Sequence, residues 1–320
     1  MPERPVNDLA ASVRAGLTSL ARQRGEDFQF VLTRYAAERL LDRLGRSAHA
    51  DSFILKGAML FAAWTNEPHR PTRDVDLLGF GDGSAGRILS VFADLCTMAV
   101  DVPDGLRFDA VSITLVEAAH QEYPGQCVKL KCHLGDAAIP LSIDIGFGDA
   151  VVPPAREIAY PVLLDMPAPR VRTYPPETLV AEKVQAMVAL GLANSRMKDL
   201  FDVSEMSRRF AFEGRVLAES LGATFRRRAT PIPLKPPVVF TSAYTQNAEK
   251  RTQWNAFVRR GRLEDRNAGL ECVIQQLAGF VWPVLASLAQ GEAFEADWQP
   301  GGPWKEICPG QDSEPRQSPR

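Results

Sequence analysis

The sequence predicts an α/β (α+β) domain followed by a mostly helical C-terminal lobe. Three observations carry this. Short apolar and alternating runs between Ser52 and Phe147 read as strands with helices among them. Prolines cluster at 153, 154, 161, 167, 169, 175 and 176, which breaks regular structure. After that cluster, apolar residues recur at helical spacing to Leu288. A chain of 320 residues has room for two domains of roughly 150 residues each. Hydrophobic residues at 45% and charged residues at 24% are ordinary globular usage and exclude wholesale disorder.

From the N-terminus, residues 1–50 read as two helices, the second from Asp27 to Leu44 with Phe28, Val31, Leu32, Tyr35, Leu40, Leu41 and Leu44 on one stripe. The core spans 51–160. A buried strand, Ser52–Leu55, turns at Gly57 into a short helix, Ala58–Trp64. Asn66–Pro71 is turn-rich and leads into a second strand, Arg73–Phe80, then a loop and a helix over Ile88–Val100. Val111–Val116, Cys127–Leu134 and Ile139–Phe147 are three further strands, with a hairpin turn at Gly135-Asp136. Residues 161–176 form a proline-rich linker with no regular element. The lobe, 177–298, holds helices over Glu177–Leu190, Met197–Phe210, Arg215–Arg228, Gln246–Arg260 and Asn267–Leu288. Residues 299–320, rich in Gly, Pro, Ser and Gln, read as a disordered tail.

Charge and cysteine usage narrow the function. Thirty-seven basic residues against 39 acidic give a net charge of −2, which rules out a uniformly basic nucleic-acid coat. The five scattered cysteines make no CxxC pair, so neither a disulfide framework nor a structural zinc site is expected. No stretch approaches about 18 consecutive apolar residues, and MPERPVNDLA lacks the apolar core of a signal peptide. A cytoplasmic protein is expected.

The chemistry is concentrated in a few segments. In Asp74-Val75-Asp76-Leu77 the aspartates share one face of a strand while Val75 and Leu77 enter the core. Two adjacent carboxylates repel, and a divalent cation shared with substrate phosphates is the usual compensation. A strand-end pair in solvent is the plainer alternative. Ile143-Asp144-Ile145 places a third aspartate on the polar face of another strand, and three such acids suit metal-assisted phosphoryl or nucleotidyl transfer. Asp149 reads as a turn residue. Lys56-Gly57-Ala58 forms a strand-to-helix turn where a backbone can approach an anion, with Lys56 directed to phosphate or to solvent. Lys183 has Leu179, Val180, Met187 and Leu190 at −4, −3, +4 and +7, so it lies on an apolar face and needs an acid, a ligand or a route to water. Asp199 and Asp202 follow one short turn later, where antiparallel helices bring them to Lys183, with Asn194 or Ser195 as the cap of their helix.

Between Arg208 and Arg262 lie twelve basic residues and three acids, interleaved with Phe225, Phe240, Tyr244, Trp254 and Phe257. Phosphate-tracking charge with aromatic rings is what an RNA-binding surface requires; a solvated arginine surface over an aromatic core fits equally well.

FILKGAMLFAAW, RPTRDVDLL, PLSIDIGFGD, TLVAEKVQAM and NSRMKDLFDV, in that order, resemble the AbiEii/AbiGii toxin family of nucleotidyltransferases. The resemblance implies a nucleotidyltransferase-like core with a mixed sheet, and the toxin half of a toxin–antitoxin or phage-defence (abortive infection) pair with its antitoxin as partner. It implies a nucleoside triphosphate as substrate with Mg²⁺ (or Mn²⁺), and RNA, with the tRNA 3′ end expected, as acceptor, so that translation is blocked. By position, Gly57 with Lys56 and Ala58 would contact phosphate, Asp74, Asp76 and Asp144 would hold metal, Lys183 would meet the triphosphate, and Asp199 matches a late acid. Asp144 or Asp199 would deprotonate the attacking hydroxyl. Ala58 departs from the glycine or serine often found there, though a backbone N–H remains. The alternatives are transfer to a protein hydroxyl and a non-catalytic protein that binds a partner or RNA.

Overall fold

The computed structural model describes residues 6–65, 70–72, 74–117, 125–263 and 269–306. Parts of the expected Asn66–Pro71 turn, and the tail beyond Glu306 with Cys308, lie outside the described residues. The chain divides into two compact units, Met1–Pro175 and Pro176–Arg320.

The first unit opens with α1 (Val6–Arg24) and α2 (Phe28–Arg46). Asp27 caps α2 by accepting the N–H groups of Gln29 and Phe30. Then come β1 (Phe53–Lys56), α3 (Met59–Thr65), β2 (Asp74–Gly79), α4 (Ala85–Thr97), β3 (Leu106–Glu117), β4 (Gly125–Leu134), β5 (Ala137–Phe147), β6 (Arg156–Ala159) and β7 (Arg170–Thr173). The seven strands form one sheet in the order β3-β4-β5-β2-β1-β7-β6. It is mixed, since β2 runs parallel to β5 and β1 parallel to β7 while the other neighbours are antiparallel. Alternation decides its faces: Val75, Leu77, Val128, Leu130, Leu141, Ile143 and Ile145 are all buried on one side, the side of α2 and α4.

The proline-rich segment does hold regular structure, contrary to expectation. Strand β7 lies within residues 161–176, its partner β6 lies just before them among the first of the clustered prolines, and Tyr174 N–H extends the parallel pairing to the Leu55 carbonyl at 3.0 Å. The prolines between them are secured by charged side chains from α2. Glu38 accepts the Leu163 N–H at 2.8 Å, and Arg39 donates to the Pro167 carbonyl at 3.0 Å. Beside them Arg43 forms a buried two-pronged pair with Asp104 and lies over the Phe108 ring. Glu38, Arg39, Asp42 and Arg43 are all buried on this one helix, and Glu38 and Arg39 supply partners to backbone groups that proline-interrupted chain cannot pair locally.

The second unit contains α5 (Pro176–Leu190), α6 (Met197–Arg209), β8 (Phe212–Glu213), α7 (Gly214–Arg227), α8 (Ser242–Thr245), α9 (Ala248–Gly261), α10 (Gly269–Gln290), β9 (Ala296–Trp298) and β10 (Trp304–Glu306). Helix α10 is long and apolar enough to cross a membrane by length and composition, although Glu271, Gln275 and Gln276 interrupt it. It contacts α6 and α7, and Leu277, Phe280, Val281 and Val284 on it are buried. The start of the expected disordered tail is ordered. Strands β8, β9 and β10 form a small antiparallel sheet, anchored where Trp298 and Trp304 donate their indole N–H groups to the Ser207 and Phe280 carbonyls.

Candidate active site

Strand register assembles the first cluster. Lys56 on β1 is the partner of Asp76 on β2, Asp76 is the partner of Asp144 on β5, and Asp144 is the partner of Cys127 on β4. Four strands thus place one row of side chains on a single face, opposite the buried aliphatic face. Asp74 stands in the next row beside Ser142. Asp74 is exposed, while Asp76 and Asp144 are half-buried.

The glycine turn fits against this row. Gly57 has φ +73°, and a Cβ on it would come within 2.0 Å of the Asp76 Oδ2 atom. The Asp76 carboxylate therefore lies against the backbone of the turn, where only glycine leaves room. Helix α3 is seven residues long, and the N–H groups of Leu60 and Phe61 are used on the Gly57 and Ala58 carbonyls. Lys56 turns to an acid. Its Nζ lies 2.8 Å from Asp149 Oδ2, and 5.7 Å from the centre of the Tyr174 ring. Asp149 is thus the partner of Lys56 and not merely a turn residue. Gly146 makes space for this pair, since a Cβ there would meet Lys56 Nζ at 3.3 Å.

Cys127 and Ser142 were not singled out by sequence reasoning, yet Cys127 stands in the row of Asp144 and Ser142 in the adjoining row of Asp74. The Cys127 Sγ is 3.4 Å from Ser142 Oγ. Burial raises the pKa of this thiol, a hydrogen bond from Ser142 opposes that, and Asp144 raises it further, so the thiol form is favoured. Knowledge of the β4–β5 register is what identifies them.

The second cluster lies in the helical unit. Lys183 on α5 reaches Asp199 Oδ1 at 2.6 Å and Asp202 Oδ2 at 2.9 Å, both on α6. Asp202 is fully buried and Asp199 nearly so. The short turn between α5 and α6 brings the lysine to both acids, as the spacing implied. The expected side-chain cap differs: Arg196 is the N-cap residue, and Asn194 instead accepts the Arg196 N–H. Asp202 is the acid that sequence reasoning underrated; its i,i+3 spacing from Asp199 was the available signal.

The basic span of the helical unit is only partly a surface. Arg226, Arg227, Arg251, Arg259 and Arg260 are exposed. Lys250 is buried and donates to the Asn194 carbonyl at 3.0 Å, and Arg208 and Arg209 pair with Glu205. Phe225, Tyr244 and Trp254 are core residues at 1%, 0% and 1% exposure, so they offer no stacking platform.

Among the described residues, no group of three or more His, Cys, Asp or Glu side chains is placed to hold a metal ion, so Asp74, Asp76 and Asp144 do not gather into the three-carboxylate metal site expected from the sequence. What the sheet offers is a pair, Asp76 beside Asp144, and one or two carboxylates are the protein's usual share of a Mg²⁺ shell that phosphate oxygens complete. The four described cysteines Cys96, Cys127, Cys132 and Cys272 are free thiols.

A mixed sheet bearing paired carboxylates on one face beside a glycine turn, joined in the same chain to a helical unit, is the build of a nucleotidyltransferase. The family described as "Nucleotidyl transferase AbiEii toxin, Type IV TA system" matches residues 39–281. The chain belongs to the AbiEii nucleotidyltransferase toxin family, the toxin side of type IV toxin–antitoxin systems. No curated protein matches it. Solved structures similar to it include JHP933 from Helicobacter pylori, at 13% identity and TM-score 0.48, covering 83% of this chain and 95% of that one. A proposed nucleotidyltransferase from H. pylori follows, at 14% identity and TM-score 0.47, covering 83% and 98%. An antigenic nucleotidyltransferase-like protein from Paracoccidioides brasiliensis has 14% identity and TM-score 0.35, covering 72% and 92%.

Proposed function

We propose that this toxin transfers a nucleotide from a nucleoside triphosphate to an RNA hydroxyl, with the tRNA 3′ end as the expected acceptor. The observation that carries the reading is the register of Asp76 against Asp144, with Asp74 in the adjoining row and the Gly57 backbone against Asp76. In the reaction, an acceptor oxygen attacks the α-phosphorus, the bond to the β-phosphate breaks, and pyrophosphate leaves. Asp74 and Asp76, with Asp144 beside them, are the residues to hold Mg²⁺ or Mn²⁺, which when bound neutralises charge on the phosphates. Of the two acids considered as base, Asp144 is the better placed to take the hydroxyl proton, because Asp199 is held at 2.6 Å by Lys183. Within the helical unit, Lys183 is engaged by both Asp199 and Asp202.

The test is to incubate the protein with α-labelled nucleoside triphosphates, Mg²⁺ and either total tRNA or a cell lysate's protein. Label on tRNA that disappears with chelator and in Asp76→Asn supports the reading. Label on protein alone moves the acceptor to a protein hydroxyl. No label on either, under any of the four nucleotides, overturns the enzymatic reading.

A further inference from the structure

The sheet face that carries Asp76 and Asp144 continues past them to the free edge at β3. Register fixes what it displays. Ser142, the neighbour of Asp74, stands beside Lys129 and Thr114; Pro140 stands beside Lys131 and Asp109; Ala138 stands beside His133 and Arg107. The reverse face at these strands is closed by Val128, Leu130 and Cys132, all buried. Lys129, Lys131 and Arg107 are exposed. Among the described residues, no ion pair or hydrogen bond engages the side chains of these three, and the Lys131 backbone N–H donates to Ser112 Oγ at 2.8 Å. The one acid among them on that face, Asp109, accepts the Val111 N–H at 3.1 Å.

Like charges on one sheet face repel, and an outer face in contact with water alone has no need to gather them. A polyanion removes the repulsion. Strand geometry also gives the tract its position: with strands about 4.8 Å apart and about 3.4 Å per residue, the three cations start about 10 Å from Asp74 and end about 20 Å away. We infer that this face is the track of the acceptor RNA, where Lys129, Lys131 and Arg107 hold phosphates of the nucleotides preceding its reactive end. The inference rests on the RNA-acceptor reading above and adds the surface. An RNA suits the face better than an acidic protein because the tract begins in the row of Asp74 itself, and a substrate is the occupant whose end must reach those carboxylates. Contacts to phosphates position the strand without reading its sequence.

The experiment compares the full chain with Arg107→Gln/Lys129→Gln/Lys131→Gln, using 5′-labelled total tRNA as the probe over a series between about 50 and 200 mM salt. Nucleotide affinity, thermal midpoint and transfer of α-labelled nucleotide to the same tRNA are measured beside it. The triple variant is expected to bind tRNA at least about tenfold more weakly, with the slope of log K against log salt reduced by about 2, three contacts at about 0.7 each. Its nucleotide affinity and thermal midpoint stay unchanged. If the wild type labels tRNA while the variant keeps the same affinity and slope, the track is refuted and the RNA reading survives. If the binding is lost instead in Arg226→Gln/Arg227→Gln, the RNA lies on the helical unit and the track is again refuted. If the wild type neither binds nor labels tRNA, the reading and the track fall together.

Discussion

Gly57→Ala tests whether the glycine turn positions the candidate metal ligand. The alanine would adopt φ +73°, and the left-handed region costs a non-glycine residue roughly 1–2 kcal/mol. Its methyl group would stand 2.0 Å from Asp76 Oδ2, 2.6 Å from Cγ and 2.8 Å from Cβ. Carbon atoms at optimal separation lie about 3.5–4.0 Å apart, so the carboxylate must retreat by about 1.5 Å. Strand β2 is hydrogen-bonded on both sides, to β1 and β5, so the side chain yields before the strand does. Forcing it off its rotamer adds about 0.5–1.5 kcal/mol. The expected stability loss is about 2–3 kcal/mol. A misplacement of about 1 Å costs on the order of 100-fold in rate, and transfer should fall by that much. The assay is a double-mutant cycle by urea unfolding, with Gly57→Ala made alone and together with Asp76→Gly, which removes every clashing atom. In the Asp76→Gly background only the backbone cost should remain. An equal cost in both backgrounds, or full transfer activity in Gly57→Ala, refutes the contact as the cause.

Lys183→Met keeps the aliphatic stem but takes the cation from two buried acids, and one-sided loss of a buried pair costs about 3–5 kcal/mol. Urea unfolding should show that loss, partly recovered by adding Asp202→Asn; an unchanged midpoint would contradict it. Glu38 gives a pH signature. Burial raises its carboxyl from 4.5 to about 7, against the pull of Arg39. Between those values the folded chain keeps a proton that the unfolded chain releases, so this group's stabilising effect is complete below 4.5 and is lost as pH rises to about 7. Stability of Glu38→Gln relative to wild type should therefore shift in the variant's favour by a few kcal/mol between about pH 5 and about pH 8; a constant difference would refute the shift. Asp76→Asn should lose transfer while its unfolding midpoint holds or rises, because one of the clustered carboxylates is neutralised. A clear drop in that midpoint would mean the carboxylate is structural.

Local patterns determined most of the architecture. Apolar spacing placed α2, α4 to α7, α9 and α10 within a few residues, because a helix needs only its own buried stripe to declare itself. Alternation around Asp74, Asp76 and Asp144 declared the polar face of β2 and β5 for the same reason. The sequential closeness of Lys183 to Asp199 and Asp202 made their meeting legible, since one short turn joins their helices. Tertiary structure alone decided the rest. β7 was illegible among prolines because β1, the strand that ties the β6–β7 pair into the sheet, and Glu38 and Arg39, which hold the connection between them, lie more than a hundred residues away. Asp149 read as a turn residue because its cation, Lys56, lies 93 residues earlier. Phe225, Tyr244 and Trp254 could be surface or core by composition, and only packing put them inside. Periods of 2 and 3.6 residues are written into the chain, whereas register between strands is set by contacts that no local stretch contains. The row joining Lys56, Asp76, Asp144 and Cys127 is such a register: its polar alternation was already present in each strand, and its assembly belongs to the sheet.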